Sequence, residues 1–588
     1  MLVVHYIALL SRPCAAVKLL FLPFLQGELC TIMPIVDLAH IDTTSSPPTL
    51  SIPERFNAAH DLLERNLQAG RADKVAYVDD CGSYTYAELT ARVNRFAAAL
   101  HGLGLHMEQR VLLCLKDGID FPTAFLGAIK AGIVPVPVNT WLAPADYAYM
   151  LHDSRALMLV VSHDLLPQFE PILGHSPFLK HVLTAGEPTP GASLTRAASS
   201  GAASAGDAPR SASTRTLREV LATSPACFEP APTLRDEACF WLYSSGSTGV
   251  PKGAVHVHSS LLETAALYAQ ATLGLNEHDI VFSAAKLFFA YGLGNALTFP
   301  LAVGASAVLM AERPSPRAVA ARLRAHRPTV FSGVPTLYAS LLASGELPAR
   351  EELCLRLCNS AGEALPEDLA RRWRERTGVD IIDGIGSTEL LHIFISNRPG
   401  RVRYGTLGTP VPGFEAKIVD EEGAAVARGE IGDLWVRGPT SAKFYWNQHA
   451  RSRATFMGPW TRTGDRFRVD SAGNYVFAGR ADDMLKVGGI YVSPIEVESA
   501  LITHPAVHEA AVVGREDADQ LVKPVAYVVL AAGYTASETL AAELQAFVKS
   551  RLAPYKYPRW IEFMPELPKT ATGKIQRFKL RGPCKPAS

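Results

Sequence analysis

The sequence predicts an α/β protein with a large N-terminal domain and a smaller C-terminal domain. Three observations carry that prediction. Helix-like and strand-like segments alternate through the N-terminal part of the chain. At 588 residues the chain is too long for one compact core. A distinct block of strand and helix signals begins near Gly479 and runs to the end.

Within residues 46–180, LTARVNRFAAALHGLG reads as an amphipathic helix and RVLLCL as a short buried strand. FPTAFLGAIKAG followed by IVPVPV repeats the order. At 186–215 the composition turns rich in Ala, Ser, Thr, Pro and Gly, as in GASLTRAASSGAASAGDAPRSAS. Such a stretch lacks the apolar surface to order itself and reads as a mobile surface insertion. Strand signals resume at ACFWLYSS and continue to about Val476. The terminal block holds DDMLKV, a helix at SPIEVESALITH, strands at AAVVGR and VAYVVL, and a helix at LAAELQAFVKSRLA. The boundary is placed at Arg480–Asp483, giving a large domain over 46–479 and a small one over 480–588.

Residues 1–45 form an N-terminal extension. Its first 33 residues are apolar, but Pro13, Lys18 and Pro23 break the run below the ~20 residues of a membrane span. No clean signal-peptide cleavage pattern follows. Met33 opens MPIVDLAHIDTT, which reads as an ordinary cytoplasmic start, so residues 1–32 are expected to derive from an upstream start codon. Lys plus Arg equals Asp plus Glu at 57 each, a balance with no footprint for nucleic acid or an anionic membrane. The nine cysteines contain no C-x-x-C, so neither a metal site nor a disulfide framework is expected, and buried thiols in a reducing cytoplasm are.

The most informative segment is SSGSTGVPKG, Ser244 to Gly253, after the apolar run CFWLY. Its glycines let backbone N–H groups approach an anion, and its hydroxyls and Lys252 add donors. Lys252 lacks the flanking Gly and Ser/Thr of a Walker A loop. A plain Gly/Ser turn is the alternative, and the fixed order of Gly, hydroxyl and Lys argues for a phosphate cradle. This decapeptide resembles the signature loop of the adenylate-forming superfamily of acyl- and aryl-CoA ligases, luciferases and adenylation domains. Further motifs follow in that family's order, so the resemblance spans roughly Ile52 to Leu580.

The resemblance implies a β-barrel-like subdomain closing the large domain and a mobile α+β C-terminal domain. It implies ATP binding through Ser244, Ser245, Gly246, Ser247, Thr248, Gly249 and Lys252. SAGEALP, with Gly362 and Glu363, resembles the adenine-side loop, and Asp383, Gly384 and Ile385 of DGIGSTE join it. Many relatives have an aromatic at the position of Ile385, which leaves apolar contact there and puts stacking in question. By the same resemblance Thr388 touches the α-phosphate, and Glu389 holds Mg²⁺, for which a carboxylate is a suitable hard ligand. Asp465 of TGD and Arg480 resemble the ribose-binding pair, Asp482 the hinge, and Lys574 the catalytic lysine. An ammonium there would stabilise charge building at the α-phosphorus. Lys486, Gly488 and Gly489 of KVGGIYVS would line the tunnel for coenzyme A, although relatives often have Ser at Gly488.

FFAYGLGNALTFP, GIGSTELLHIFISNRPG, DDMLKVGGIYVSP and LAPYKYPR resemble the benzoate–CoA ligase branch. Ala290 departs from the histidine that many superfamily members carry there. A flat apolar slot of Ala290, Tyr291, Gly292, Ile385, Gly386 and Ile393, with His392 at its edge, would suit an unsubstituted ring, though core packing explains Tyr291 and His392 equally well. Substituted benzoates, 4-hydroxybenzoate or 2-aminobenzoate, stay open, as does an aryl-adenylating carrier-loading enzyme. A luciferase-like oxygenase is more remote, and a non-catalytic nucleotide sensor should have lost Lys574, Glu389 or Asp465. A homodimer is allowed by this reading and not required by it.

Overall fold

The computed structural model describes residues 37–186, 213–244, 251–487, 490–517, 521–569 and 575–581. Residues 1–36 of the N-terminal extension, which include the 1–32 segment, and nearly all of the 186–215 insertion lie outside the described residues.

Two parallel sheets organise the large domain. The first has five strands in the order Val134–Pro137, Arg110–Cys114, Met158–Ser162, His181–Ala185 and Ser213–Thr216, all parallel. Runs such as MLVVS are apolar throughout because both faces of such a strand are covered. The second sheet has nine strands. Its parallel centre runs Ile381–Gly386, Leu357–Ser360, Val330–Gly333, Ile280–Ser283, Ser306–Val308 and Val75–Asp79. Ile393–Ser396 and Thr409–Pro410 extend one edge and Gly82–Thr85 the other, all antiparallel. The amphipathic helix read at LTARVNRFAAALHGLG forms as Tyr86–Gly102, buried along Leu89, Val93, Phe96, Ala97 and Leu100. Thr85 and Glu88 close a capping box at its start.

Two antiparallel sheets complete the large domain. Ala238–Ser244 pairs with Lys252–Val257, which pairs with Phe444–Tyr445. Where the resemblance implies a barrel-like subdomain, a five-stranded sheet forms in which Glu415–Val419, Gly432–Arg437 and the long Trp460–Val469 run side by side, with Phe456–Met457 and Tyr475–Arg480 both on the last and no pairing that closes it among the described residues. In the C-terminal domain, Val507–Glu516, Val522–Leu530 and Trp560–Phe563 form a sheet covered by helices Pro494–Ile502 and Glu538–Arg551. Its two apolar clusters draw only on residues from Leu485 onward, while those of the large domain end at Phe477. Among the described residues no helix is long and apolar enough to cross a membrane.

Asp279 ties together the starting ends of three neighbouring strands. It is 3% exposed and accepts from Arg356 at 2.7 and 2.5 Å, from the Thr329 hydroxyl at 2.7 Å and from the Asn276 N–H at 3.0 Å. Burial alone would raise its carboxyl, yet Arg356, Thr329 and Asn276 together hold it below the usual carboxylate range. Asp279→Ala removes the acceptor of this cluster and, with the Arg356 guanidinium partly exposed and screened by water, should cost about 2 kcal/mol, read as a lower thermal midpoint. Because the folded-state pKa is depressed, this contribution is complete above pH ~4 and lost as pH falls through the lowered value. The gap between Asp279→Ala and the native protein should therefore narrow in acid.

Candidate active site

The candidate residues meet outside the carboxyl ends of the parallel strands in the nine-stranded sheet, the place where open α/β sheets bind ligands. Ile381–Gly386 folds back as Ile393–Ser396, with Gly386 opposite Ile393, so residues 387–392 form the tip of a hairpin. A Cβ on Gly386 would lie 2.5 Å from the His392 carbonyl oxygen, which makes glycine the residue that allows the tight return. Thr388–Leu390 makes a short 3₁₀ turn, capped by the Ser387 side chain accepting from the Leu390 N–H. Leu391 then sits at φ +66°, a strained conformation for a bulky residue.

Glu389 is the centre of the polar cluster on this tip. Its Oε1 lies 2.8 Å from Lys252 Nζ, and it accepts from Tyr445 Oη at 2.7 Å and Ser244 Oγ at 3.4 Å. Lys252 also donates to Tyr445 Oη at 2.7 Å. Ser244 and Lys252 face each other across the strand pair that flanks residues 245–250, and Tyr445 arrives from the neighbouring strand opposite Ala254. Burial pushes the Glu389 carboxyl up, but the Lys252 ammonium and the hydrogen bonds from Lys252 and Tyr445 outweigh it and leave it below the usual range. It is an ionised, acceptor-only group. Thr388 is held from behind by His256, whose Nε2–H donates to the Thr388 carbonyl at 2.8 Å. Burial drives that imidazole down to about 4, so it stays neutral near pH 7.

Asp383 follows Ser360 in parallel register and is 5% exposed, with Oδ1 unpartnered. Burial raises its carboxyl well above the usual range, against the weaker pull of Ser360 and the Gly384 and Leu365 N–H groups. Gly362 turns at φ +93°, and Glu363 accepts from the Thr336 hydroxyl at 2.7 Å and its N–H at 3.3 Å. That places the Glu363 carboxylate at the start of helix Pro335–Ser344, a helix-capping position. Asp465 and Arg480 pair across adjacent strands, Nη1 to Oδ1 at 2.8 Å, and the strand carrying Asp465 packs against the Thr388–Leu390 turn.

On the other side of the hairpin tip lies an apolar wall. Ala290 and Tyr291 are half-buried and Gly292 buried, at the start of an irregular helix that begins as Ala290–Leu293. His392, 3% exposed, donates from Nε2 to the Tyr291 carbonyl at 3.2 Å and packs among the rings of Tyr268, Tyr291 and Phe299. Burial takes it down to about 3, so it too is neutral. Its Nδ1 is a buried acceptor with no partner. Ile393 is buried and Ile385 half-buried beside Gly386. Ser245, Gly246, Ser247, Thr248, Gly249, Gly488, Gly489 and Lys574 lie outside the described residues, as do the side chains of Asp482 and Lys486.

Residues 63–446 match the model of the AMP-binding enzyme family, and residues 496–574 match the AMP-binding enzyme C-terminal domain. The chain belongs to the AMP-binding enzyme family. It is 60% identical to a benzoate–CoA ligase of Thauera aromatica over 92% of this chain and 99% of that protein. It is 46% identical to a 4-hydroxybenzoate–CoA/benzoate–CoA ligase of Rhodopseudomonas palustris, over 90% and 94% of the two chains. A crystal structure of a benzoate CoA ligase from Burkholderia xenovorans LB400 superimposes with a TM-score of 0.80 at 52% identity, covering 90% of this chain and all of that one.

Two residues of this candidate site were not picked out from sequence. Tyr445 and His256 are single residues far from the loops they hold, and no local pattern marks either. Tyr445→Phe keeps the ring but deletes both hydroxyl contacts with Lys252 and Glu389. Those contacts hold the Lys252–Glu389 pair in place, and the part of their loss felt by a ligand is expected to be about 1.4 kcal/mol, so a non-hydrolysable ATP analogue should bind roughly tenfold more weakly, read by calorimetry.

Proposed function

We propose that this protein joins benzoate to coenzyme A at the expense of ATP, through a benzoyl-adenylate, releasing AMP and diphosphate. One observation carries the reading. The hairpin tip at 387–392 presents Thr388 and the ionised Glu389 at one end and the neutral His392 at the other. A charged cluster suited to phosphates and an uncharged, partly aromatic wall are thus fixed to the same short loop. An acid whose ring rests on that wall has its carboxylate held toward the phosphates. The high identity to benzoate–CoA ligases supports the same substrate.

In this reading Ser244 to Gly249 and Lys252 cradle the triphosphate, and Thr388 contacts the α-phosphate. Asp383, through its unpartnered Oδ1, accepts from the adenine amino group beside Gly362, Gly384 and Ile385. Glu363 contributes through its backbone, since its carboxylate serves Thr336. Asp465 and Arg480 hold the ribose. Glu389 would hold Mg²⁺. Among the described residues no cluster of three or more His, Cys, Asp or Glu could hold a metal, and one carboxylate plus substrate phosphates is the usual Mg²⁺ arrangement. The ion would neutralise phosphate charge there. The carboxylate oxygen attacks the α-phosphorus and diphosphate leaves, with the Lys574 ammonium countering the charge that builds. The small domain then turns about Asp482, the coenzyme A thiol reaches the carbonyl past Lys486, Gly488 and Gly489, and AMP leaves.

A substituted benzoate is the second reading, favoured by the buried unpartnered Nδ1 of His392, which a ring hydroxyl or amino hydrogen would satisfy. Diphosphate and AMP release across benzoate, 4-hydroxybenzoate, 2-aminobenzoate, cyclohexanecarboxylate and hexanoate, with and without coenzyme A, separates the two. Fastest coenzyme A-dependent turnover with benzoate is expected; release with no coenzyme A requirement would reject the ligase. Lys574→Ala should slow adenylation by roughly a hundredfold or more while keeping thioester formation from supplied benzoyl-adenylate. Equal loss of both half-reactions would contradict the domain rotation.

A further inference from the structure

The wall segment that begins at Leu287 is held across the junction of the two parallel sheets by a buried pair of charges. Lys286 leaves the end of Ile280–Ser283, and Asp117 leaves the end of Arg110–Cys114 in the other sheet. Both residues are 3% exposed. Lys286 Nζ donates to the carbonyl of Met310 and, at 2.7 Å, to that of Glu312, which fixes it beside the neighbouring strand Ser306–Val308. Asp117 Oδ2 lies 3.9 Å from that ammonium, while Oδ1 accepts the Leu287 N–H at 3.1 Å. The carboxylate therefore holds the cation and the first backbone donor of the wall at once. Trp141, in the turn after strand Val134–Pro137 of the first sheet, meets Phe288 edge-on at 5.7 Å between ring centroids.

The wall has little freedom to move independently of that anchor. The Lys286 carbonyl accepts the Phe289 N–H at 3.0 Å, and Phe289 in turn accepts the Leu293 N–H at 2.8 Å. Gly292 lies so close over the same carbonyl that an added Cβ would stand 2.1 Å from its oxygen. A shift at Leu287 is passed by these contacts to Ala290, Tyr291 and Gly292.

We propose that Asp117 and Lys286 are positioning residues that set the place of the aryl wall and hence affinity for the aromatic acid. This inference rests on the assignment of Ala290, Tyr291 and Gly292 to the acid site. Asp117→Ala removes both the counter-charge and the Leu287 acceptor; Asp117→Asn keeps an acceptor of the same shape. KM for benzoate should rise at least tenfold in Asp117→Ala with KM for ATP within twofold of native, and Asp117→Asn should recover most of the loss. Should Asp117→Ala fail to fold, Lys286→Gln carries the test, with a fivefold rise in benzoate KM alone expected. Both KM values rising together, or neither moving, would overturn the proposal. Ala290→Phe, made in parallel, separates this from the underlying assignment. Loss of benzoate turnover in Ala290→Phe with native kinetics in Asp117→Ala refutes the positioning role only. Native benzoate kinetics in Ala290→Phe refutes the acid site itself, and the proposal with it.

Discussion

Burying the Glu389 carboxylate is the constraint around which the rest of the site is arranged. An ionised carboxylate taken out of water is costly unless it is paired and hydrogen-bonded. Here three donors from three chain segments converge on one oxygen: Lys252, Tyr445 and Ser244. Each belongs to a different strand of the small antiparallel sheet, so satisfying one charge draws the flanks of the phosphate loop and the hairpin tip into a single place. Removing any one partner leaves the charge less compensated, and the whole arrangement is held by that penalty as much as by the contacts themselves.

Two buried histidines hold that hairpin tip without adding charge. His256 grips the carbonyl of Thr388 and His392 the carbonyl of Tyr291, each through Nε2–H. Since a carbonyl only accepts, both tautomers are set with the proton on Nε2. Burial keeps both rings neutral near pH 7, so the loop keeps one geometry across the range in which an ordinary exposed histidine would titrate. The strained Leu391 between them is tolerated because its neighbours on both sides are fixed.

What could be read from sequence was what chemistry confines to short, ordered stretches. SSGSTGVPKG and DGIGSTE stand out in the sequence because close approach to phosphate needs glycine and hydroxyls at fixed offsets. Helix Tyr86–Gly102 is legible because its buried face repeats every three to four residues. Tyr445, His256, Asp117, Lys286 and Asp279 are not, because each acts on a segment distant along the chain and is surrounded by ordinary sequence. Glu363 is a mixed case. Its loop motif points to nucleotide contact, and the fold adds what the motif does not show, a carboxylate that accepts from Thr336 at the start of a helix.

The division of charge across the hairpin tip bears on which acids fit. Toward Glu389 the candidate site is built from full charges, Lys252 and Glu389, which the proposed reading places against phosphates. Toward His392 it is built from neutral groups: an imidazole held deprotonated, the Tyr291 ring, Ala290, Gly292 and Ile393. In the proposed reading a benzoate carboxylate lies at the boundary, where its charge is consumed as the adenylate forms. A second ionised group on the ring would sit against the neutral side with no counter-charge, at a desolvation cost of several kcal/mol. A neutral hydroxyl or amino group faces only the cost of finding one partner, and His392 Nδ1 is such a partner. Discrimination among neutral benzoates is then a matter of single hydrogen bonds and ring shape, whereas exclusion of dicarboxylates is set by electrostatics and should be far stronger.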